Sequence, residues 1–223
     1  FISLSMVFIV LKLIKDQYAA NKHALELKKQ KAETELSSLK EQLNPHFLFN
    51  TLNNIYSLSL MNSPKTSPSI ARLSGILDHL IYRCGGMYVP VEQEIELLTN
   101  YIELEKLRYD DNLDIRFTHH TDKNALIAPL ILISLLENAF KHGAGEDAGA
   151  AFISIDLWVE QNKFSFEIKN SIATLVKNKT SQGIGLANIK KQLELIYPGN
   201  HSFTAGAQEN LFVTSLKINL PHE

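Results

Sequence analysis

Apolar residues recur at helical spacing in the first half of the chain and alternate over most of the second, with the change after Tyr109. Phe47, Leu48, Leu52, Ile55 and Leu58, followed by Leu60-Met61, predict a helix over about 44–61. Leu73, Ile76, Leu77, Leu80 and Ile81 predict one over about 70–82, and Ile95, Leu98, Ile102 and Leu107 one over about 92–109. The run 62–69 reads as a loop from its Pro, Ser, Asn and Thr content, Cys84-Gly85-Gly86 as a break, and Val89-Pro90-Val91 as extended. Beyond Asp110-Asp111-Asn112, Leu113–Phe117 alternates as a strand and Pro129–His142 forms an apolar helix. Phe152–Trp158 and Lys163–Ile168 make a hairpin around Gln161-Asn162. Ser171–Gln182 has no period and reads as a mobile loop. Gly183-Ile184-Gly185 opens a helix to about Tyr197, and a last hairpin joins 201–205 to 211–220. No repeat is visible. Helices followed by a mostly antiparallel sheet with helices on one face predict an α+β fold ending in an α/β sandwich.

The beginning follows a different pattern. Phe1–Ile14 is almost entirely apolar but shorter than the roughly 20 residues a spanning helix needs. It reads as the end of a transmembrane helix or, alternatively, as a buried helix or an apolar patch for a partner. The lysines at 12, 15, 22, 28, 29 and 31 suit a cytoplasmic flank. Residues 15–43 lack Gly and Pro. Their 4,3 spacing through Tyr18, Lys22, Leu25, Lys29, Ala32, Leu36, Leu39 and Leu43 fits a coiled-coil seam or a solitary amphipathic helix.

Composition adds bounds. Of 223 residues, 45% are hydrophobic, enough for a packed core. A formal charge of −2 gives no global reason to expect nucleic-acid binding. A single cysteine, Cys84, excludes an intrachain disulfide and a thiolate metal cluster.

Candidate chemistry clusters in a few runs. In Asn44-Pro45-His46, proline either kinks a helix or stands in the first turn of a new one capped by Asn44; both place His46 at a backbone irregularity. Asn50 lies one turn on, on the same helix face. Glu137, Asn138, Lys141 and His142 end an apolar helix. They read as a solvated helix end or as a site in which Asn138 offers an oxygen to Mg²⁺ and Lys141 lies near phosphates. Gly183-Ile184-Gly185-Leu186-Ala187-Asn188 is a structural turn or a phosphate cradle at a helix N-terminus. Asn170 follows a strand, where an amide can meet a base edge.

Together and in this order, these pieces resemble the GHKL (Bergerat-fold) ATPase domain, and the LNPHFLFN run at 43–50 resembles that of LytS/YehU-like sensor histidine kinases. Tyr101–Arg108 (YIELEKLR) is also similar to a stretch typical of that family. The resemblance implies His46 as phosphoacceptor. Glu137 would then orient the imidazole or take its proton, and Asn50, one turn from His46, reads either as positioning a water that hydrolyses the regulator's phosphoaspartate or as a helix-surface amide. The resemblance also implies Asn138 as Mg²⁺ ligand, Glu137, Lys141 and His142 on the phosphate side, and Asn170 at the adenine. Gly183 and Gly185, followed by Leu186 and Asn188, would form the ATP lid. Where the family has Asp-x-Gly-x-Gly, this chain has Asn170-Ser171-Ile172-Ala173-Thr174, so the loop must take another path. Asp78 stands where similar proteins commonly carry Arg.

The implied organisation is a transmembrane stub at 1–14, a signalling coiled coil at 15–43, a helical dimerisation and phosphotransfer region at 44–110, and a GHKL-type ATP-binding domain at 111–223. The implied activity is ATP- and Mg²⁺-dependent phosphorylation of His46, then transfer to an aspartate of a response regulator, the LytTR type being one candidate. The chain would act as a homodimer at the cell membrane, this region being cytoplasmic. The alternative is a catalytically silent dimeric scaffold with a degenerate ATP site.

Overall fold

A computed structural model describes Lys12, Lys15, Gln17, Tyr18, Lys22 and residues 45–83, 86–109, 113–122, 125–143, 151–172 and 182–220. The chain divides into two compact units, Phe1–Leu48 and Phe49–Glu223. In the first, the five separate residues are helical and exposed, and Pro45–Leu48 begin helix α1. The apolar opening (Lys12 apart) and most of the coiled-coil seam lie outside the described residues. Among the described residues, no helix is long and apolar enough to cross a membrane.

Helix α1 runs Pro45–Leu60, with Pro45 at the first residue, where its missing N–H costs no helical bond. Helix α2 runs Thr66–Asp78 and continues as a π-helical turn, His79–Arg83. It starts earlier than the loop-like composition of 62–69 predicts, because Pro68 falls in the first turn, where a proline is tolerated. Helix α3, Val91–Tyr109, packs along α2. The approach is close at Gly75, where an added Cβ would stand 3.3 Å from the Asn100 amide nitrogen. Arg72 Nη1 donates to Asn100 Oδ1 at 3.4 Å across the same contact.

The two-residue strands β1 (Val89–Pro90) and β3 (Leu126–Ile127) pair antiparallel. The main sheet contains β2 (Leu113–His120), β4 (Ala151–Glu160), β5 (Lys163–Ser171), β6 (His201–Gln208) and β7 (Leu211–Asn219), in the order β2-β4-β5-β7-β6. The β2–β4 pair is parallel and the others antiparallel. Gln161 and Asn162 join β4 to β5 with φ of 49° and 62°, the doubly positive turn that matches strand twist.

Burial alternates along β4 and β5, so Ile153, Ile155, Leu157 and Val159 share the inner face with Phe164, Phe166 and Ile168. Helices α4 (Ile131–Gly143) and α5 (Gln182–Ile196) accompany this sheet. Helix α4 packs on β4, β5, α3 and α5, and α5 also packs on β6. Phe164 and Phe166 are 1% and 0% exposed, each contributing roughly 1.5–3 kcal/mol of apolar burial. Helix α5 ends at Ile196, and the turn that follows it passes through Gly199, whose φ of 71° is a left-handed conformation that suits glycine, with the Asn200 N–H donating to Tyr197 O at 3.1 Å. Helices followed by a mixed sheet with helices on its inner face make the α+β sandwich that the sequence pattern predicts.

Candidate functional site

The site residues stand on α4 because its apolar positions are spent on packing. Ile131, Leu132, Leu135, Leu136, Ala139 and Phe140 are all buried. The intervening positions form a flank on which Glu137 and Asn138 are half-buried and Lys141 is exposed. His142 belongs to the last turn of the helix, and its side chain lies outside the described residues. Among the described residues, no hydrogen bond engages the Asn138 amide. Among those residues, no group of three or more His, Cys, Asp or Glu side chains is arranged to hold a metal. One neutral oxygen and no carboxylate cage fits Mg²⁺, which takes few protein ligands and completes its shell with water and phosphate oxygens.

Asn170 is 2% exposed, on the inner face of β5 against which α4 packs. Its Nδ2 donates to the Ser171 carbonyl at 2.9 Å, which fixes the amide and leaves Oδ1 as an acceptor. The strand continues through Ser171, so the Asn170–Thr174 run begins within the sheet; residues 173–181 lie outside the described residues. Gly183 and Gly185 lie inside the first turn of α5, which starts at Gln182, rather than ahead of it. A Cβ at Gly185 would meet nothing within 4 Å, so packing does not demand that glycine. Leu186 is half-buried and Asn188 exposed. The fold thus brings Glu137, Asn138 and Lys141 together on one helix, with Asn170 on the sheet face beneath it and Gly183–Asn188 on the adjacent helix. His46 is an exposed side chain at the start of α1 and belongs to the other unit. Asn50, four residues on, is half-buried and has interactions of its own.

An aromatic and acidic cluster backs the α4 residues. Phe140 meets Tyr101 edge-on at 5.7 Å and stacks with Tyr109 at 6.2 Å. Arg108 lies 5.0 Å from the Tyr109 ring centre and 3.8 Å from the buried Glu105 carboxylate. Burial holds the Tyr101 phenol well above its usual range, reinforced by the charges of Glu105 and Glu137. Burial also pushes the Glu105 carboxyl up, against the pull of Arg108. The motif at 101–108 marks part of this cluster, but the burial of Glu94 and Glu105 is less obvious. Its signal is spacing: both acids fall on the apolar stripe of Val91, Ile95, Leu98, Tyr101 and Ile102.

A sheet with helices on its inner face, preceded by helices, is the α+β arrangement implied by the GHKL resemblance. Residues 34–113 match the family model described as Histidine kinase. Over 174 residues the chain is 26% identical to the sensor protein LytS of Staphylococcus epidermidis, covering 72% of this chain and 29% of that one. Over 183 residues it is 27% identical to the sensor histidine kinase YpdA of Escherichia coli, covering 78% and 32%. A solved catalytic domain of the histidine kinase ThkA aligns with a TM-score of 0.45 and 18% identity, covering 61% of this chain and 97% of that one. The resemblance drawn from the motifs holds: the chain is LytS-like. It spans about a third of the length of the curated relatives it matches.

Proposed function

We propose that this chain is the kinase region of a two-component sensor histidine kinase. In this reading ATP bound beside α4 phosphorylates His46, and the phosphoryl group then passes to an aspartate of a response regulator. The observation that carries the reading is that His46 is exposed within the stretch that matches the histidine kinase family. The Asn138 amide, which no hydrogen bond engages among the described residues, and the open space at Gly185 support a nucleotide at α4 and α5.

A neutral imidazole is a competent nucleophile near pH 7. One His46 ring nitrogen attacks the γ-phosphorus in line, a nitrogen–phosphorus bond forms, and the bond to the ADP oxygen breaks. Mg²⁺, when bound with the nucleotide, neutralises charge on the phosphate oxygens. Asn138 holds that ion, Lys141 and His142 lie toward the phosphates, and Asn170 Oδ1 accepts from the adenine amino group. Gly183, Gly185, Leu186 and Asn188 form the wall over the phosphates. Glu137 orients the imidazole or accepts its proton, and Arg108 is a further candidate for phosphate contact. In this reading the phosphotransfer region and the ATP-binding domain are separate, and a hinge motion brings His46 to the nucleotide. Asn50, a turn from His46, positions a water that hydrolyses the regulator's phosphoaspartate.

In the same proposal, 44–110 is the dimerisation and phosphotransfer region and 111–223 the ATP-binding domain. The working form is a homodimer at the cell membrane with this region in the cytoplasm, and the regulator is of the LytTR type or another. A silent scaffold is the second reading, favoured by the missing glycines after Asn170. Titration with a fluorescent ATP analogue and Mg²⁺ separates them: saturable binding supports the kinase, and none supports the scaffold. Radiolabel from γ-labelled ATP should reach the wild-type chain and not His46→Gln; label persisting on that variant rejects the assignment.

A further inference from the structure

Glu94 is completely buried on α3, and the chemistry above makes no use of it. Its two oxygens reach in different directions. Oε1 is 3.1 Å from Nε2 of His79, itself buried in the π-helical turn that follows α2. The ring nitrogen is assigned as donor because a carboxylate accepts. Oε2 accepts the Leu130 N–H at 3.1 Å. Leu130 stands at φ 67°, in the left-handed region that a leucine rarely adopts, immediately before α4. Its carbonyl accepts the Ser134 N–H at 3.3 Å and the Ser134 hydroxyl at 2.9 Å in the first turn of that helix. The peptide that launches α4 is therefore fixed from one side by a buried acid and from the other by the helix itself.

A backbone in this region persists only where its surroundings over-determine it. Here the surroundings are specific: Tyr197 Oη accepts the Ala128 N–H at 2.7 Å, and Glu94 takes the Leu130 N–H, with Pro129 between them offering no donor. Glu137 and Asn138 lie two turns beyond Leu130 on an unbroken helix. Any rotation of the first turn is carried to them, because a helix moves as a rod.

We infer that Glu94, held by His79, is a positioning residue that sets the register of α4 and so aims Glu137, Asn138 and Lys141 at the nucleotide. This inference rests on the proposed reading of α4 as the nucleotide helix. Sub-ångström aim matters there, since a displacement of about 1 Å can cost on the order of a hundredfold in rate.

The test uses the full chain as wild type, Glu94→Met and Glu94→Gln. Methionine keeps the buried volume and removes both acceptors; the glutamine oxygen still accepts from Leu130, and its NH2 donates to His79 Nε2 once that ring carries its proton on Nδ1. Binding of a fluorescent ATP analogue with Mg²⁺, and amide exchange along α4, are measured at a temperature where thermal unfolding shows each protein folded. A role confined to stability would leave affinity unchanged there. The expected result is that Glu94→Met weakens binding about tenfold or more, speeds exchange in α4, and is largely restored by Glu94→Gln. Folded Glu94→Met with wild-type affinity and exchange overturns the inference, as does Glu94→Gln failing as badly as methionine. Should Glu94→Met not fold, Glu94→Asp, one methylene short of both partners, takes its place with the same outcomes. A wild type that binds no nucleotide sinks the reading of α4 instead. The exchange data then decide on Glu94 alone: faster exchange confined to α4 and restored by glutamine supports it, and unchanged exchange refutes it.

Discussion

Replacing Tyr197 by phenylalanine deletes one oxygen and changes almost nothing else. The ring is buried, and it keeps its neighbour Tyr88 at a 6.0 Å centroid distance. What is lost is the acceptor for the Ala128 N–H, a 2.7 Å bond at a residue with 0% exposure. A buried donor left without a partner costs about 1–3 kcal/mol, and no cavity large enough for a compensating water is created by removing a hydroxyl. With a urea slope of roughly 2 kcal/mol per molar, a loss near 2 kcal/mol lowers the unfolding midpoint by about 1 M. Urea unfolding followed by Trp158, the single tryptophan and part of β4, reads this directly. Tyr88→Phe, which touches the same ring, is the control and should stay within about 0.5 kcal/mol of wild type. A Tyr197→Phe midpoint indistinguishable from the Tyr88→Phe control refutes the reasoning. The same hydroxyl predicts an alkaline limit. Burial raises the Tyr197 phenol to about 12, above the unfolded value near 10. Its contribution is therefore complete below pH 10 and is lost as pH rises toward 12, a decline that the phenylalanine variant lacks.

Three further outcomes are expected. Glu105 has a carboxyl raised by burial, so its contribution is full at pH below the unfolded value near 4.3 and falls as pH rises through the folded one. Glu105→Gln should accordingly gain on wild type between pH 4 and pH 7 in thermal unfolding, and a pH-independent difference contradicts this. Gly75→Val places bulk against the Asn100 amide, where one Cβ already comes to 3.3 Å, and should cost about 1–3 kcal/mol in urea unfolding. Asn138→Ala should abolish the Mg²⁺ dependence of nucleotide binding with little change in unfolding midpoint; an unaltered Mg²⁺ titration contradicts the ligand role.

Much of the architecture was legible where it is locally encoded. The apolar spacing in 131–140 announces α4, and Gln161-Asn162 announces a tight hairpin, because neither depends on distant residues. The start of α2 was hidden because its first turn is built from Thr66, Ser67 and Pro68, residues that read as loop. Strand β2 runs three residues past the alternating segment, through Thr118, His119 and His120. There its parallel pairing with β4 supplies the order that the polar side chains do not announce. That pairing is non-local, so its direction leaves no trace in the run itself. The site divides in the same way. Asn138 and Asn170 stood out from their positions at the ends of apolar runs. Glu94 did not, because an acid on the apolar stripe of α3 acquires meaning only when His79 and Leu130 arrive from elsewhere in the chain.

The central claim is that His46 receives the γ-phosphoryl group of ATP. Incubation of the chain with MgATP, followed by mass-spectrometric mapping of phosphate that is labile to acid and stable to base, tests it most directly. The account predicts one such phosphate, on the peptide that contains His46. Saturable MgATP binding with no phosphate on that peptide, or with acid-labile phosphate on another histidine, would contradict it.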